Sequence, residues 1–119
     1  MKIGYVINRK LWEEENKSEK NYWWIYIEEI LTRLGITAEM VNIENLEENI
    51  EEFKFLFLGP DNYERSREII KKWVRNGGIL FGFNCLDIDD VFGNKFGKKK
   101  IEKNPFEING YLSFCKNIF

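Results

Sequence analysis

The stretch that decides the fold runs from Phe53-Lys54-Phe55-Leu56-Phe57-Leu58-Gly59-Pro60, through Trp73-Val74-Arg75-Asn76-Gly77-Gly78, to Ile79-Leu80-Phe81-Gly82-Phe83. Its first part is a short apolar, aromatic-rich run closed by Gly-Pro, which reads as a strand. Asp61-Asn62-Tyr63-Glu64 has the spacing of a capping box, in which the first side chain accepts from a backbone N–H and the glutamate reaches back. A helix is expected from there, burying Tyr63, Ile70, Trp73 and Val74. Lys71, Lys72 and Arg75 suit the negative end of its dipole, and Gly77-Gly78 stops it. Ile79 to Phe83 then makes a further strand, so the stretch is a strand–helix–strand unit with a right-handed crossover.

Working outward, Ile3 to Ile7 is a nearly continuous apolar run, as expected of a strand covered on both faces. Asn8 to Lys20 reads as a polar loop, after which Trp23, Ile27, Ile30, Leu31 and Leu34 recur at helical spacing and Gly35 supplies a cap. Ile36 to Ile43 gives another strand, and Glu44 to Glu52 has room only for a short helix or turn. On the carboxyl side, Leu86 to Phe92 reads as one helical turn, and Phe106 to Phe114 alternates about Gly110 as an antiparallel or edge strand. The expected fold is therefore a three-layer α/β/α sandwich with a flavodoxin-like, mostly parallel sheet of four or five strands. Residues 1–119 read as a single domain, with 98–119 either an edge strand or the start of a longer chain.

At 119 residues one core suffices, since a domain of this size removes roughly two-thirds of its unfolded surface from water. Hydrophobic residues make up 44% and charged residues 32%, with a formal charge of -2, which argues against disorder and against a nucleic-acid partner. Lys98-Lys99-Lys100, followed by Glu102, reads as a solvated turn. Cys85 and Cys115 form no CxxC or ligand spacing, so reduced thiols in the cytoplasm are expected, with no metal and no cofactor. The opening apolar run is too short for a signal or membrane segment.

The segment Phe57-Leu58-Gly59-Pro60, then a helix, then Trp73-Val74-Arg75-Asn76-Gly77-Gly78-Ile79-Leu80-Phe81-Gly82, resembles the class I glutamine amidotransferase-like superfamily. Within it the trehalose-utilisation-like and β-galactosidase trimerisation-like branches share the helix ending in W-V-x-x-G-G-x-L, and Asp90-Val91-Phe92-Gly93 resembles the segment that follows. The resemblance covers about residues 1 to 97. It implies a nucleophile elbow, Gly-x-Cys-x-Gly, with a downstream His and Glu. Here Gly82-Phe83-Asn84-Cys85-Leu86-Asp87 has an extra residue before the cysteine and no second glycine, and the chain contains no histidine. A Cys–His pair is the usual means of making a thiolate at neutral pH, so the triad does not carry over and the domain reads as non-catalytic.

In doubly wound sheets ligands bind beyond the carboxyl ends of the strands at the switch point, here bordered by Asn8 to Lys20, Gly59 to Tyr63 and Asn84 to Asp90. A small-ligand or sugar site there would use Asn8, Arg9, Trp12, Asp61, Asn62, Asn84, Cys85 and Asp87. Asp87, Asp89 and Asp90 suit a hard cation, although Asp87 capping a short helix explains them as well. Asn8-Arg9 offers neither the acids of a phosphoacceptor nor a phosphate-cradling loop, and Glu13-Glu14-Glu15 reads as a solvated run rather than a glycosidase pair. Trp12, Tyr22, Trp23, Trp24 and Tyr26 make one helix apolar more than halfway round, so Tyr22, Trp24 and Tyr26 are expected at an interface. The leading expectation is an interaction or oligomerisation module, within a carbohydrate-active protein. Its partner is a second copy or a neighbouring domain, and in the β-galactosidase branch the resemblance implies assembly beside a sugar site. The alternatives are the ligand-binding domain and a hydrolase using Cys85 without histidine.

Overall fold

The structure is a computed structural model that describes residues 1–22, 24–82 and 84–94. Four strands, β1 (Ile3–Ile7), β2 (Glu39–Asn42), β3 (Phe55–Leu58) and β5 (Ile79–Gly82), form a parallel sheet in the order β2-β1-β3-β5. This is the expected flavodoxin-like α/β arrangement. β1 lies inside it, with Tyr5 opposite Met40 on one side and Phe57 on the other. A second, two-stranded parallel ribbon joins β4 (Asp61–Asn62) to β6 (Cys85–Leu86).

Alternation along the strands divides the core in two. Val6, Val41, Leu56 and Leu58 point to one face, where they pack with Leu46, Ile50, Phe53, Tyr63, Ile70, Trp73 and Ile88. That face is covered by α3 (Leu46–Asn49), flanked by 3-10 turns, and by α4 (Arg67–Arg75). Trp73 fixes α4 beneath the sheet, because its indole N–H donates to the Phe53 carbonyl at 3.0 Å and its ring fills the space that a Cβ on Gly78 would occupy. Tyr5 and Ile7 point to the other face and meet Ile27 and Leu31 of α2 (Ile25–Arg33), with Tyr22 and Trp24.

Several local expectations are corrected. Part of the polar loop is a helix, α1 (Arg9–Lys17), started by Asn8, whose Oδ1 accepts from the Leu11 N–H at 3.1 Å. No residue of α1 is buried, so no apolar stripe announced it. In α2 the buried positions are Ile27 and Leu31, whereas Ile30 and Leu34 are 56% and 67% exposed; Trp23 lies outside the described residues. The strand expected at Ile36 to Ile43 spans only Glu39–Asn42.

The capping box is replaced by an Asn62 turn, its Oδ1 accepting from the Glu64 N–H at 2.9 Å, and α4 begins at Arg67 after a 3-10 turn at Glu64–Ser66. Instead of a helical turn from Leu86, the chain makes β6 and then plain turns, and Asp87 caps no helix. The strand expected at Phe106 to Phe114, Lys98-Lys99-Lys100 and Cys115 lie outside the described residues.

Candidate functional site

The sheet order reverses between β1 and β3, so the loops leaving their carboxyl ends face each other there. Asn8, the residue after β1, bridges them: its Nδ2 donates to Asp61 Oδ2 at 2.9 Å. The same residue caps α1 through Oδ1, and its backbone N–H donates to the Tyr22 hydroxyl at 2.8 Å. One asparagine thus satisfies a helix end, a tyrosine and a carboxylate.

Aromatic rings fill the crevice behind this bridge. Tyr22 stacks on Trp24 with centroids 4.3 Å apart and planes 12° apart, and Trp12 continues the stack at 6.1 Å. The Trp24 indole packs against Gly59, where an added Cβ would fall 2.5 Å from the ring. Beneath it, the buried Tyr63 hydroxyl donates to the Gly59 carbonyl at 2.7 Å. Burial, opposed by the Asn8 backbone and helped to a smaller extent by the Asp61 charge, pushes the Tyr22 hydroxyl up to about 12. Burial, with smaller effects of Cys85 and Asp61, raises Tyr63 much further, so both phenols are neutral hydrogen-bonding groups at physiological pH.

The loops after β3 and β5 are tied together by the β4–β6 ribbon. Asp61 stands opposite Cys85 and Asn62 opposite Leu86, and the Tyr63 N–H donates to the Leu86 carbonyl at 3.1 Å. Asn84 and Asp87 flank β6 at φ 52° and 64°, a left-handed conformation that Asn and Asp tolerate better than other side chains. Asn62 Nδ2 donates to Asp87 Oδ2 at 2.6 Å, closing the ribbon from outside. The Cys85 thiol lies 3.8 and 3.7 Å from the Leu58 and Gly59 carbonyl oxygens, either of which can accept its single proton.

The structure therefore gathers Asn8, Asp61, Asn62, Cys85 and Asp87 at one end of the sheet, as the switch-point rule anticipates. It engages their polar atoms with each other and with the backbone. Arg9 is exposed on the first turn of α1, Trp12 is half-buried in the stack, and Asn84 is exposed on its turn. Tyr22 and Trp24, expected at an interface, are only 6% and 5% exposed within the domain; Tyr26 is exposed on α2. Among the described residues no group of three His, Cys, Asp or Glu side chains stands close enough to hold a metal. Asp90 is drawn away to α4, where Arg67 donates to both of its oxygens at 3.0 and 2.8 Å and Lys71 donates at 2.9 Å.

Two contacts escaped the sequence reading. Asn8 followed by the helix formers Arg9 to Glu15 was the available signal for the cap, whereas the Tyr63–Gly59 bond had none beyond the apolar spacing of Tyr63. Among the described residues no helix is long and apolar enough to cross a membrane. Comparison with protein-family models, curated proteins and solved structures finds no match for this chain.

Proposed function

We propose that this is a non-catalytic, amidotransferase-like domain of the cytoplasm that serves as an interaction module, assembling with a second copy of itself through the β3–β5 half of its sheet. The supporting observation is a row of apolar side chains on the α2 face of the sheet, where among the described residues cover reaches β1 and part of Phe57 but leaves β5 exposed. Phe55 and Phe57 have ring centroids 4.8 Å apart, and Phe57 and Phe81 5.5 Å apart. Register places Tyr5, Phe57 and Phe81 side by side, yet Tyr5 is buried under α2 while Phe81 and Ile79 remain 55% and 47% exposed. Parallel sheets are ordinarily covered on both faces.

A second copy is the favoured occupant for two reasons. The rings of Phe55, Phe57 and Phe81 run in contact from β3 to β5, a continuous apolar row that a second copy could cover across a two-fold axis. A formal charge of only -2 sets up little repulsion between copies. Each side chain fully buried in such a contact contributes roughly 1.5–3 kcal/mol. The resemblance to the trimerisation-like branch supports assembly as the role, while the absence of histidine and the thiol's two carbonyl partners give a hydrolase nothing to work with. The strand-end crevice supports a ligand site less, because rings fill it and its amides and carboxylates are mutually bonded.

Sedimentation velocity over a range of concentrations tests the reading. We expect reversible self-association that Phe81→Lys abolishes while the domain still folds, since Phe81 is 55% exposed and lies outside the buried core. A strict monomer at every concentration, or association that Phe81→Lys leaves unchanged, overturns it.

A further inference from the structure

Away from both the strand-end cluster and the bare sheet face, a half-open cavity of about 290 Å³ lies between the end of α2 and the loop that leads into β2. Tyr5, Glu28, Leu31, Thr32, Gly35, Ile36, Thr37 and Ala38 line it. Its chemistry is one-sided: a carboxylate, a phenol and two threonine hydroxyls stand among aliphatic groups, and among the described residues no lysine or arginine lines it. The basic residue on the last turn of α2, Arg33, is held by Glu29 at 2.8 Å instead.

Two features set the potential inside. The cavity sits at the carboxyl end of α2, where the chain turns at Gly35 with φ 71° and the N–H groups of Gly35 and Ile36 return to the Thr32 and Leu31 carbonyls at 3.0 and 2.9 Å. The negative end of the helix dipole is therefore at its wall. Glu28, one turn back on the same helix, adds a full negative charge, and the Tyr5 hydroxyl interacts with that carboxylate; burial first and Glu28 second push this phenol up to about 12. A buried phenol and an acid lining one cavity beside a helix carboxyl end supply a hydrogen-bond acceptor and a negative charge in a partly enclosed space.

We propose that this cavity binds a small organic cation with N–H donors, a primary alkylammonium group, with Glu28 as counter-ion, the hydroxyls of Tyr5, Thr32 and Thr37 as hydrogen-bonding partners, and Leu31, Ile36 and Ala38 against the alkyl chain. Its size is at the lower limit of small-molecule sites, which restricts the ligand to a few heavy atoms. An anion is opposed by both the carboxylate and the dipole.

The test is a titration of the full chain with n-butylammonium at neutral pH, followed by amide chemical shifts, with n-butanol as the uncharged control of equal length. The expected result is a saturable shift confined to the amides of Glu28, Leu31, Thr32 and Gly35 to Ala38. Glu28→Gln weakens it at least tenfold and Tyr5→Phe several-fold, and n-butanol has little effect. Glu28 is exposed, and the spectrum of each variant reports its own folding. No saturable shift at these amides, equal binding of n-butanol, or an unchanged affinity in Glu28→Gln each overturns the proposal. None of these outcomes touches the sheet-face association, which Phe81→Lys probes separately.

Discussion

Asn8 and Gly59 show how much one residue can decide in a small domain. Gly59 has no side chain because the Trp24 indole occupies that space, so Gly59→Ala must push the stacked pair Trp24–Tyr22 outward. Overpacking of this kind typically costs about 1–3 kcal/mol, measurable as a lower urea midpoint together with a red shift of tryptophan emission. An unchanged midpoint would mean that the ring has room to move. Tyr22 makes a second prediction. Its folded-state value of about 12 lies above the ordinary 10.0, so its neutral hydroxyl contributes stability that is fully present below pH 10 and is lost as pH rises from there through about 12. Tyr5 behaves in the same way and for the same leading cause, burial. Tyr22→Phe should flatten part of the alkaline fall in thermal midpoint; an equally steep fall would contradict the assignment.

At the level of elements, the turn after β6 is held to α4 by Asp90, gripped by Arg67 and Lys71. These contacts hold its carboxyl well below the usual 3.8, the side-chain hydrogen bonds from Arg67 and Lys71 being the largest causes. A depressed value means that the contribution is present above pH 3.8 and drains away as pH falls below it. The pair is exposed, so it is a hinge pin for the turn more than a support of the whole domain. Asp90→Asn should therefore raise amide exchange in residues 88–93 at neutral pH while leaving β1 and β3 protected, and it should remove that acid dependence. Uniform loss of protection across the sheet would refute the local role.

Legibility from the sequence also divides at this scale. The strands were readable because Ile3–Ile7, Phe55–Leu58 and Ile79–Gly82 are short apolar runs bounded by turn residues. α4 was readable because Ile70 and Trp73 repeat at helical spacing. α1 was not, since it buries no residue and its helix rests on the Asn8 cap and propensity. Trp24 was misplaced because it precedes the regular turns of α2, where a helical wheel has no authority. The topology rule anticipates that these residues gather at the strand ends, but their bonds link Asn8 to Asp61 and Asn62 to Asp87, far apart in sequence, and periodicity carries no trace of such pairs.

For the molecule as a whole, the sheet order has a temporal meaning. β1 is synthesised before both of its neighbours, and it is an interior strand whose partners, β2 and β3, come from residues 39–42 and 55–58. Its ladder to β2 can close once Asn42 has emerged, but its ladder to β3 waits until the chain has grown past Leu58, and both ladders span a crossover rather than a hairpin. During translation the run from Ile3 to Ile7 leaves the ribosome well before the partners that will shield it. Completion of the sheet is thus a late event on the growing chain, and truncated nascent chains ending before β3 should be the species that chaperones retain.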